Sequence, residues 1–224
     1  MMQFKSVCFD LFDTLIIFDD NRYHADLSNI AKILGFDTET FHQAFRRTQD
    51  AALAGIFETV EDRYQAILNQ INHFSESNLN ELIRLENEAL LNCVTLVPGV
   101  QEMLISLVSH GKTLAVISNS SATGLKIMDL LKISKHFDEK IFSFIEKIAK
   151  PDPAIYLLGC DRLGTLPEDV AFVSDGDKNE LEGAAKAGIT PVRFDPSRQY
   201  ESAALPPGTY ECRSVEELTH FLLI

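Results

Sequence analysis

The sequence lacks several features that mark secreted, zinc-binding and membrane proteins. Its four cysteines are far apart and form no Cys-x-x-Cys pair, so the spacing of a cysteine metal site is absent. The N-terminus has no basic region followed by an apolar stretch, and no hydrophobic run is long enough to span a bilayer. We therefore expect free thiols, a cytoplasmic location and no membrane partner.

Basic residues are also scarce, with 20 Lys and Arg against 33 Asp and Glu and a net charge of −13. A strongly negative protein repels polyanions, which argues against nonspecific binding of nucleic acid. A small phosphorylated substrate is still allowed, because a few local cations can override the average charge. The 46% hydrophobic content is that of a globular protein, and 224 residues suit one large domain or one domain with an insertion.

The hydrophobic pattern divides the chain into two kinds of structure. A short apolar run ends at Asp10, whereas residues 22–93 show only helical spacing. After Pro98 and Gly99, apolar strands alternate with helices, which predicts a parallel sheet covered by helices. We predict an α/β core domain from residues 1–15 and 95–224, with a helical domain of about four helices, residues 16–94, inserted after the first strand.

Polar residues follow four of the predicted strands. A single such residue is more often part of a turn or a helix cap. Four groups at one edge of a parallel sheet, however, predict a binding site. They supply a carboxylate nucleophile, hydroxyl and amide donors, a lysine that can neutralise phosphoryl charge, and carboxylate oxygens suited to Mg²⁺. The groups are Asp10, Asp13 and Thr14; Ser118 and Asn119; Lys150; and Asp175 and Asp177.

The order and spacing of these motifs resemble the haloacid dehalogenase-like (HAD) hydrolase superfamily. The motifs are Phe9-Asp10-Leu11-Phe12-Asp13-Thr14-Leu15, Ile117-Ser118-Asn119, Lys150-Pro151, and Ser174-Asp175 followed by Glu180. The resemblance implies a Rossmann-like parallel sheet in the strand order 5-4-1-2-3. It also implies that the helical insertion is a C1-type cap that closes over substrate.

The resemblance further implies catalytic and binding roles for these residues. Asp10 would be the nucleophile that forms a covalent acyl intermediate. Ser118 and Lys150 would bind the transferring group with support from Asn119, and Thr14 would order the first loop.

A magnesium site is implied in the same way. Its ligands would be Asp10, Asp175 and the backbone carbonyl of Phe12. Glu180 stands near the place of a second acidic residue of the family motif, where it would hold a metal-bound water.

One position departs from the phosphatase pattern of the family. Phosphatases usually carry an aspartate two residues after the nucleophile as general acid and base, and here that residue is Phe12. Asp13 lies one residue later, so it reaches the leaving group only through a different loop geometry or a water molecule. Without an acid, leaving-group protonation loses roughly 10²–10⁴-fold in rate.

An aromatic residue at this position is instead a feature of 2-haloacid dehalogenases, which need no metal. Those enzymes tend to have serine where this chain has Asp175. They also hold the substrate carboxylate with a cation in the cap, for which Arg22, Arg46 and Arg47 are available. The leading hypothesis is therefore a Mg²⁺-dependent phosphatase of a small phosphorylated metabolite, acting through an aspartyl-phosphate on Asp10. The alternatives are a 2-haloacid dehalogenase and a weakly active phosphate-binding or regulatory protein, and both a monomer and a homodimer stay open.

Overall fold

The computed structural model describes residues 4–198 and 205–224. Its central feature is a six-stranded sheet in which all neighbouring strands are parallel, in the order β5-β4-β1-β6-β7-β8. Counted in chain order within this sheet, β1, β4, β5, β6 and β7 are strands 1 to 5, and from β7 to β5 they lie in the order 5-4-1-2-3. The predicted Rossmann-like sheet is therefore confirmed, and β8 is added beside β7. The strands are β1 (Ser6–Phe9), β4 (Thr113–Ser118), β5 (Glu139–Phe142), β6 (Val170–Ser174), β7 (Thr190–Phe194) and β8 (Tyr210–Cys212).

Helices cover both faces of this sheet because alternate strand residues point to opposite sides. In β1, Val7 and Phe9 join the apolar cluster under α5, α6 and α10, whereas Cys8 joins the cluster under α8 and α9. Every residue of β1, β4 and β6 except Thr113 is buried, as expected for parallel strands covered on both faces. The helices are α5 (Val100–Ser109), α6 (Ala122–Leu130), α7 (Ser143–Glu146), α8 (Pro153–Leu163), α9 (Glu180–Lys186) and α10 (Val215–Leu223).

Four helices form a separate bundle between β1 and α5, which we call the helical insert (residues 20–93). It has its own apolar core, in which Phe41, Tyr64 and Leu82 are fully buried. A short antiparallel pair of strands, β2 (Ile16–Phe18) and β3 (Val94–Leu96), joins the insert to the sheet. The helices are α1 (Asp20–Ile33), α2 (Thr38–Leu53), α3 (Val60–Gln70) and α4 (Glu76–Cys93). The division into two domains at residues 15 and 95 stays a prediction.

The insert contacts the sheet domain on its α6 and α7 side. Lys147 Nζ donates hydrogen bonds to the carbonyl oxygens of Ala54 and Gly55, at 3.0 and 2.9 Å. Lys126 Nζ on α6 lies 3.6 Å from Oε2 of Glu86 on α4. These contacts hold the insert against the edge of the sheet where the strands end.

Three local expectations are corrected by the structure. The apolar sequence over 140–145 predicts a strand, but β5 ends at Phe142 and the chain continues as α7, because a short apolar run suits either structure. The sequence offers Thr38 as a cap for the second helix, but Asp37 caps α2 by accepting the N–H of Thr40. The strand β3 was not expected, since it is only three residues long.

The four cysteines are free, as expected, and all four are buried. Among the helices that the structure describes, none combines the length and the apolar character needed to cross a bilayer. The cytoplasmic location stays a prediction.

Candidate active site

The ends of β1, β4 and β6 lie side by side and bring the predicted polar residues together. Asp10 directly follows β1, Ser118 ends β4, and Asp175 directly follows β6. These side chains line a cavity of about 100 Å³, which we call the strand-edge pocket. Its lining residues are Asp10, Phe12, Asp13, Ser118, Asn119, Asp175, Asp177, Lys178 and Glu180. The sequence-predicted residues Lys150 and Thr14 are buried and bonded to Asp10.

Lys150 links two carboxylates in the wall of this pocket. Its Nζ donates to Oδ1 of Asp10 in a short contact and lies 2.9 Å from Oε2 of Glu180. The backbone of Lys150, in the loop before α8, is held by both ends of one amide. Nδ2 of Asn119 donates to the Lys150 carbonyl, and Oδ1 accepts its N–H, both at 2.8 Å. Asn119 therefore fixes the lysine loop against the end of β4.

Thr14 connects the loop after β1 to the loop after β6. Its Oγ1 donates to Oδ2 of Asp10 at 3.3 Å and accepts the backbone N–H of Asp175 at 3.0 Å. Because Thr14 is fully buried, these bonds are protected from competing water. One hydroxyl thus sets the distance between two of the predicted metal ligands.

Three buried carboxylates converge beside Lys150. Asp10, Asp175 and Glu180 each present an oxygen within 4.8 Å of the others. Ser174 Oγ donates to Glu180 at 2.8 Å, and the N–H of Asp177 donates to Asp175 at 3.0 Å. In residues 4–198 and 205–224, no Lys, Arg or His forms an ion pair with Asp175. Three carboxylates against one ammonium leave the cluster short of positive charge.

The electrostatics of the cluster follow from this shortage. Burial, with a smaller effect of the neighbouring Glu180 carboxylate, raises the pKa of Asp175 to about 6. The hydrogen bond from the Asp177 N–H opposes this rise. Burial likewise raises the pKa of Asp10 and Glu180, while Lys150 opposes the rise. Burial alone would lower the pKa of Lys150, but the two carboxylates outweigh it and the pKa lies above its usual value. A hard cation with oxygen ligands would relieve the repulsion, so this donor set fits Mg²⁺.

A second, larger cavity of about 460 Å³ lies between the strand-edge pocket and the helical insert, and we call it the insert cavity. Phe12, Asp13 and Asn119 line both cavities. The ring of Phe12 packs against Phe18 at 6.2 Å between centroids, and Phe18 packs against Tyr23 at 5.3 Å. The residue that replaces the usual acid is therefore part of an aromatic wall of the insert cavity.

Asp13 lies at the boundary between the two cavities. Its backbone is left-handed, with φ 59°, a conformation that redirects the side chain relative to an extended residue. Partial burial, then the carboxylates of Asp20, Asp177 and Asp195, raise its pKa. Asp13 is thus a half-buried carboxyl group with an increased tendency to hold a proton.

Sequence reasoning missed most of the insert cavity. Its wall includes Tyr23, His42, Arg63 and Ser120, none of which was expected there. Ser120 had a signal, since it closely follows Ser118 and Asn119 at the end of β4. The residues on the insert helices had no such signal in the sequence, because the packing of the bundle decides which side chains face the cavity. Of the arginines considered in the insert, Arg46 lines this cavity.

Comparison with known proteins yields a family and two kinds of relative. A family model described as haloacid dehalogenase-like hydrolase matches residues 4–188. The (S)-2-haloacid dehalogenase 4A of Burkholderia cepacia is 34% identical over 122 residues, covering 54% of this chain and 52% of that protein. The phosphorylated carbohydrates phosphatase of Thermotoga maritima is 38% identical over 93 residues, covering 41% and 43%. The chain thus spans about half the length of these curated relatives.

A solved structure matches over nearly the full length. The 2-haloacid dehalogenase of Pseudomonas syringae has a TM-score of 0.72 with 22% identity, and the match covers 98% of each chain. At this identity the match establishes the fold.

Proposed function

The chain belongs to the haloacid dehalogenase-like hydrolase family, and from that premise we propose that it is a Mg²⁺-dependent phosphatase of a small phosphorylated metabolite. The observation that carries the proposal is Asp175. This carboxylate is buried beside two others and forms no ion pair within the described ranges. A buried charge needs a compensating partner, and a divalent cation is the partner that this oxygen set fits.

Asp10 is the nucleophile in this proposal. A carboxylate oxygen attacks phosphorus, the bond between phosphorus and the ester oxygen breaks, and an aspartyl-phosphate forms on Asp10. Water then attacks the phosphorus, which releases inorganic phosphate and restores the carboxylate. Lys150 neutralises charge that develops on the phosphoryl oxygens, and Ser118 faces the same pocket as a donor.

The metal residues complete the charge balance. Asp10, the Phe12 carbonyl, Asp175 and Glu180 would hold Mg²⁺, which supplies positive charge to the phosphoryl oxygens when bound. Thr14 keeps Asp10 and the Asp175 backbone at a fixed separation through its two hydrogen bonds. Asn119 keeps Lys150 in place through the paired amide bonds.

Asp13 takes the role of the general acid that Phe12 cannot perform. Its position between the two cavities is where the ester oxygen of a substrate would lie, with phosphate on one side and the organic group on the other. Its raised pKa increases the protonated fraction near neutral pH. In the first step it gives a proton to the departing alkoxide, and in the second it removes a proton from the attacking water.

A 2-haloacid dehalogenase is the second candidate, favoured by Phe12 and by the similarity to the Burkholderia cepacia enzyme. In that reaction Asp10 attacks the halogen-bearing carbon, halide leaves, and water hydrolyses the resulting ester to a 2-hydroxy acid. Arg46 in the insert cavity would face the substrate carboxylate. Asp175 has no task in this chemistry, which is why we place it second.

Two turnover assays and a calorimetric measurement of inorganic phosphate binding separate these candidates from one another and from the weakly active binding protein. Hydrolysis of a chromogenic aryl phosphate is measured with Mg²⁺, with chelator, and after Mg²⁺ is restored. Halide release from 2-chloropropionate is measured in chelator. The proposal requires phosphate release that disappears with chelator and returns with Mg²⁺. Halide release without phosphate release assigns the dehalogenase reaction, and phosphate binding without any turnover assigns the binding protein.

A further inference from the structure

The insert cavity contains a buried cation that, among the described residues, has no carboxylate in direct contact. Arg63 on α3 lines this cavity and is only 8% exposed. Its Nε donates to Oγ1 of Thr48 at 3.1 Å, and its Nη2 donates to the Phe45 carbonyl at 3.0 Å and to Oε1 of Gln49 at 2.8 Å. All three acceptors are neutral, so they fix the guanidinium without cancelling its charge.

The remaining donors of Arg63 are directed to no protein acceptor. Within the described part of the chain, Nη1 donates no hydrogen bond, and no carboxylate lies within ion-pair distance of the guanidinium. The buried carboxylate of Glu86 acts on the Arg63 charge without touching it. The same carboxylate accepts a hydrogen bond from Tyr23 at 2.8 Å and lies 3.6 Å from Lys126 Nζ, so one negative charge is shared by two cations. A buried guanidinium is costly unless an anion pairs with it.

Arg46 differs from Arg63 although it lines the same cavity. It is exposed to solvent, and its Nη2 is paired with Glu39 at 3.0 Å. Its charge is therefore already screened by water and by a carboxylate. Arg63 is the cation whose charge is left for a ligand.

The other charges in the cavity give the ligand a direction. Asp13 lines both cavities and lies close enough to Asp20 for the two carboxyl groups to interact. Acidic groups therefore occupy the end that adjoins the strand-edge pocket and disfavour a second anion there. The lining of the cavity also includes apolar side chains, among them Leu27, Phe45 and Ile127. An extended molecule fits this arrangement with its phosphate among the strand ends, a carbon body along the apolar wall, and a second anionic group at Arg63.

We infer that Arg63 is a specificity-determining residue, and that the substrate is a phosphomonoester whose alcohol part ends in a second anionic group, a carboxylate or a phosphate. This inference rests on the proposed phosphatase function. A cavity of about 460 Å³ lies within the usual range for small-molecule sites and admits a body of several carbon atoms. The planar guanidinium provides parallel N–H donors for either oxygen group.

The test measures binding, so that it does not depend on turnover. In the Asp10→Asn variant with Mg²⁺, calorimetry compares 4-(carboxymethyl)phenyl phosphate with its carboxamide, which has nearly the same shape but no second charge. A third ligand, 4-(phosphonomethyl)phenyl phosphate, distinguishes a carboxylate from a phosphate as the preferred group. We expect the anionic ligands to bind roughly 10- to 100-fold more tightly than the amide, as for a hydrogen bond to a charged group.

Adding Arg63→Gln should bring the anionic ligands to the affinity of the amide, which itself should change little. Arg63→Lys should retain part of the preference for the anionic ligands, because the positive charge stays. The rest of the preference should be lost with the paired N–H donors of the guanidinium. Arg47→Gln, the same change on an exposed arginine of α2, is the matched control and should retain all of it. Equal affinity for all three ligands before Arg63 is changed would overturn the inference, even if the Arg63 variants do not fold. A preference that survives Arg63→Gln or disappears in Arg46→Gln alone would also overturn it, as would failure of all three ligands to bind.

Turnover of a simple aryl phosphate by the unchanged enzyme separates this inference from the proposed function. If that ester is hydrolysed but no anionic preference exists, the inference fails and the phosphatase proposal stands. If the ester is not hydrolysed with or without Mg²⁺, the phosphatase proposal fails, whatever the binding comparison shows.

Discussion

The strand-edge pocket and the insert cavity carry opposite electrostatic imbalances. In the pocket, three buried carboxylates share one ammonium, so positive charge is short. In the insert cavity, the hydrogen bonds of the buried Arg63 guanidinium within the described part of the chain all go to neutral acceptors, so negative charge is short. A metal ion would complete the first site and an anionic group the second. Two adjoining cavities that share Phe12, Asp13 and Asn119 thus differ in the sign of the charge that would complete them.

The largest effect should come from the proposed nucleophile in the strand-edge pocket. Asp10→Asn removes the attacking carboxylate but preserves its size, so aryl phosphate hydrolysis should fall by on the order of 10⁴-fold or more. The measurement is the initial rate with saturating Mg²⁺. Asp50→Asn, an exposed carboxylate of the insert, is the control and should leave the rate unchanged. A residual rate within tenfold of the original would show that another group is the nucleophile.

The next effect tests the boundary between the two sites. Asp13→Asn removes the proposed acid, so hydrolysis of an alkyl phosphate should fall by about 10²–10⁴-fold. An aryl phosphate should be much less affected, because its leaving group needs no proton. The ratio of the two rates is therefore the informative quantity. Equal losses for both substrates would mean that Asp13 acts on loop structure or metal binding instead.

The residues of the strand-edge pocket could be predicted from the sequence to a greater extent than those of the insert cavity. Asp10, Ser118 and Asp175 each lie at the end of a buried apolar run, and parallel strands bring such ends to one edge. These placements therefore followed from short segments of sequence, whereas the strand order was implied by the family resemblance. Arg63 lies on a helix, where only the packing of four helices decides which residue faces the cavity.

The contacts between pairs of residues within the predicted site could not be predicted from the sequence either. The sequence predicts that Lys150 and Glu180 approach the same edge, but their 2.9 Å contact depends on the loop before α8 and on the turn before α9. The end of β5 was misplaced for a similar reason: five adjacent residues, four of them apolar, suit a strand and a helix equally. Backbone hydrogen bonding, which the sequence does not display, decides between them.

A third prediction concerns the charge imbalance of the strand-edge pocket itself. The pKa of Asp175 is raised to about 6 from an ordinary 3.8, so the folded state holds its proton more tightly than the unfolded state. The contribution of Asp175 to the stability of the metal-free protein is therefore most favourable below its ordinary pKa of 3.8 and is lost as the pH rises through about 6. Ionised Asp175 should cost about 2–3 kcal/mol at pH 8.

Asp175→Asn should accordingly stabilise the metal-free protein at pH 8, with little effect at pH 4. It should also weaken Mg²⁺ activation by about 100-fold or more, in line with the loss of a metal ligand. Urea unfolding in chelator at both pH values measures the first effect, and an activity titration with Mg²⁺ measures the second. A destabilised variant at pH 8 would show that Asp175 is already compensated without a cation.

The smallest effect comes from the wall of the insert cavity. Tyr23 packs its ring against Phe18, which packs against Phe12, and its hydroxyl donates to the buried Glu86. Tyr23→Phe retains the ring but leaves one oxygen of Glu86 without that donor, so the free energy of unfolding should fall by about 1–3 kcal/mol. Urea unfolding measures this loss.

The same variant should also affect substrate binding, because Glu86 belongs to the insert and faces Lys126 of α6 across its contact with the sheet. KM should therefore rise, while kcat for an aryl phosphate changes little. A fall in kcat with unchanged KM would instead place Tyr23 among the groups that act on the strand-edge pocket, and the two sites would then not be separable.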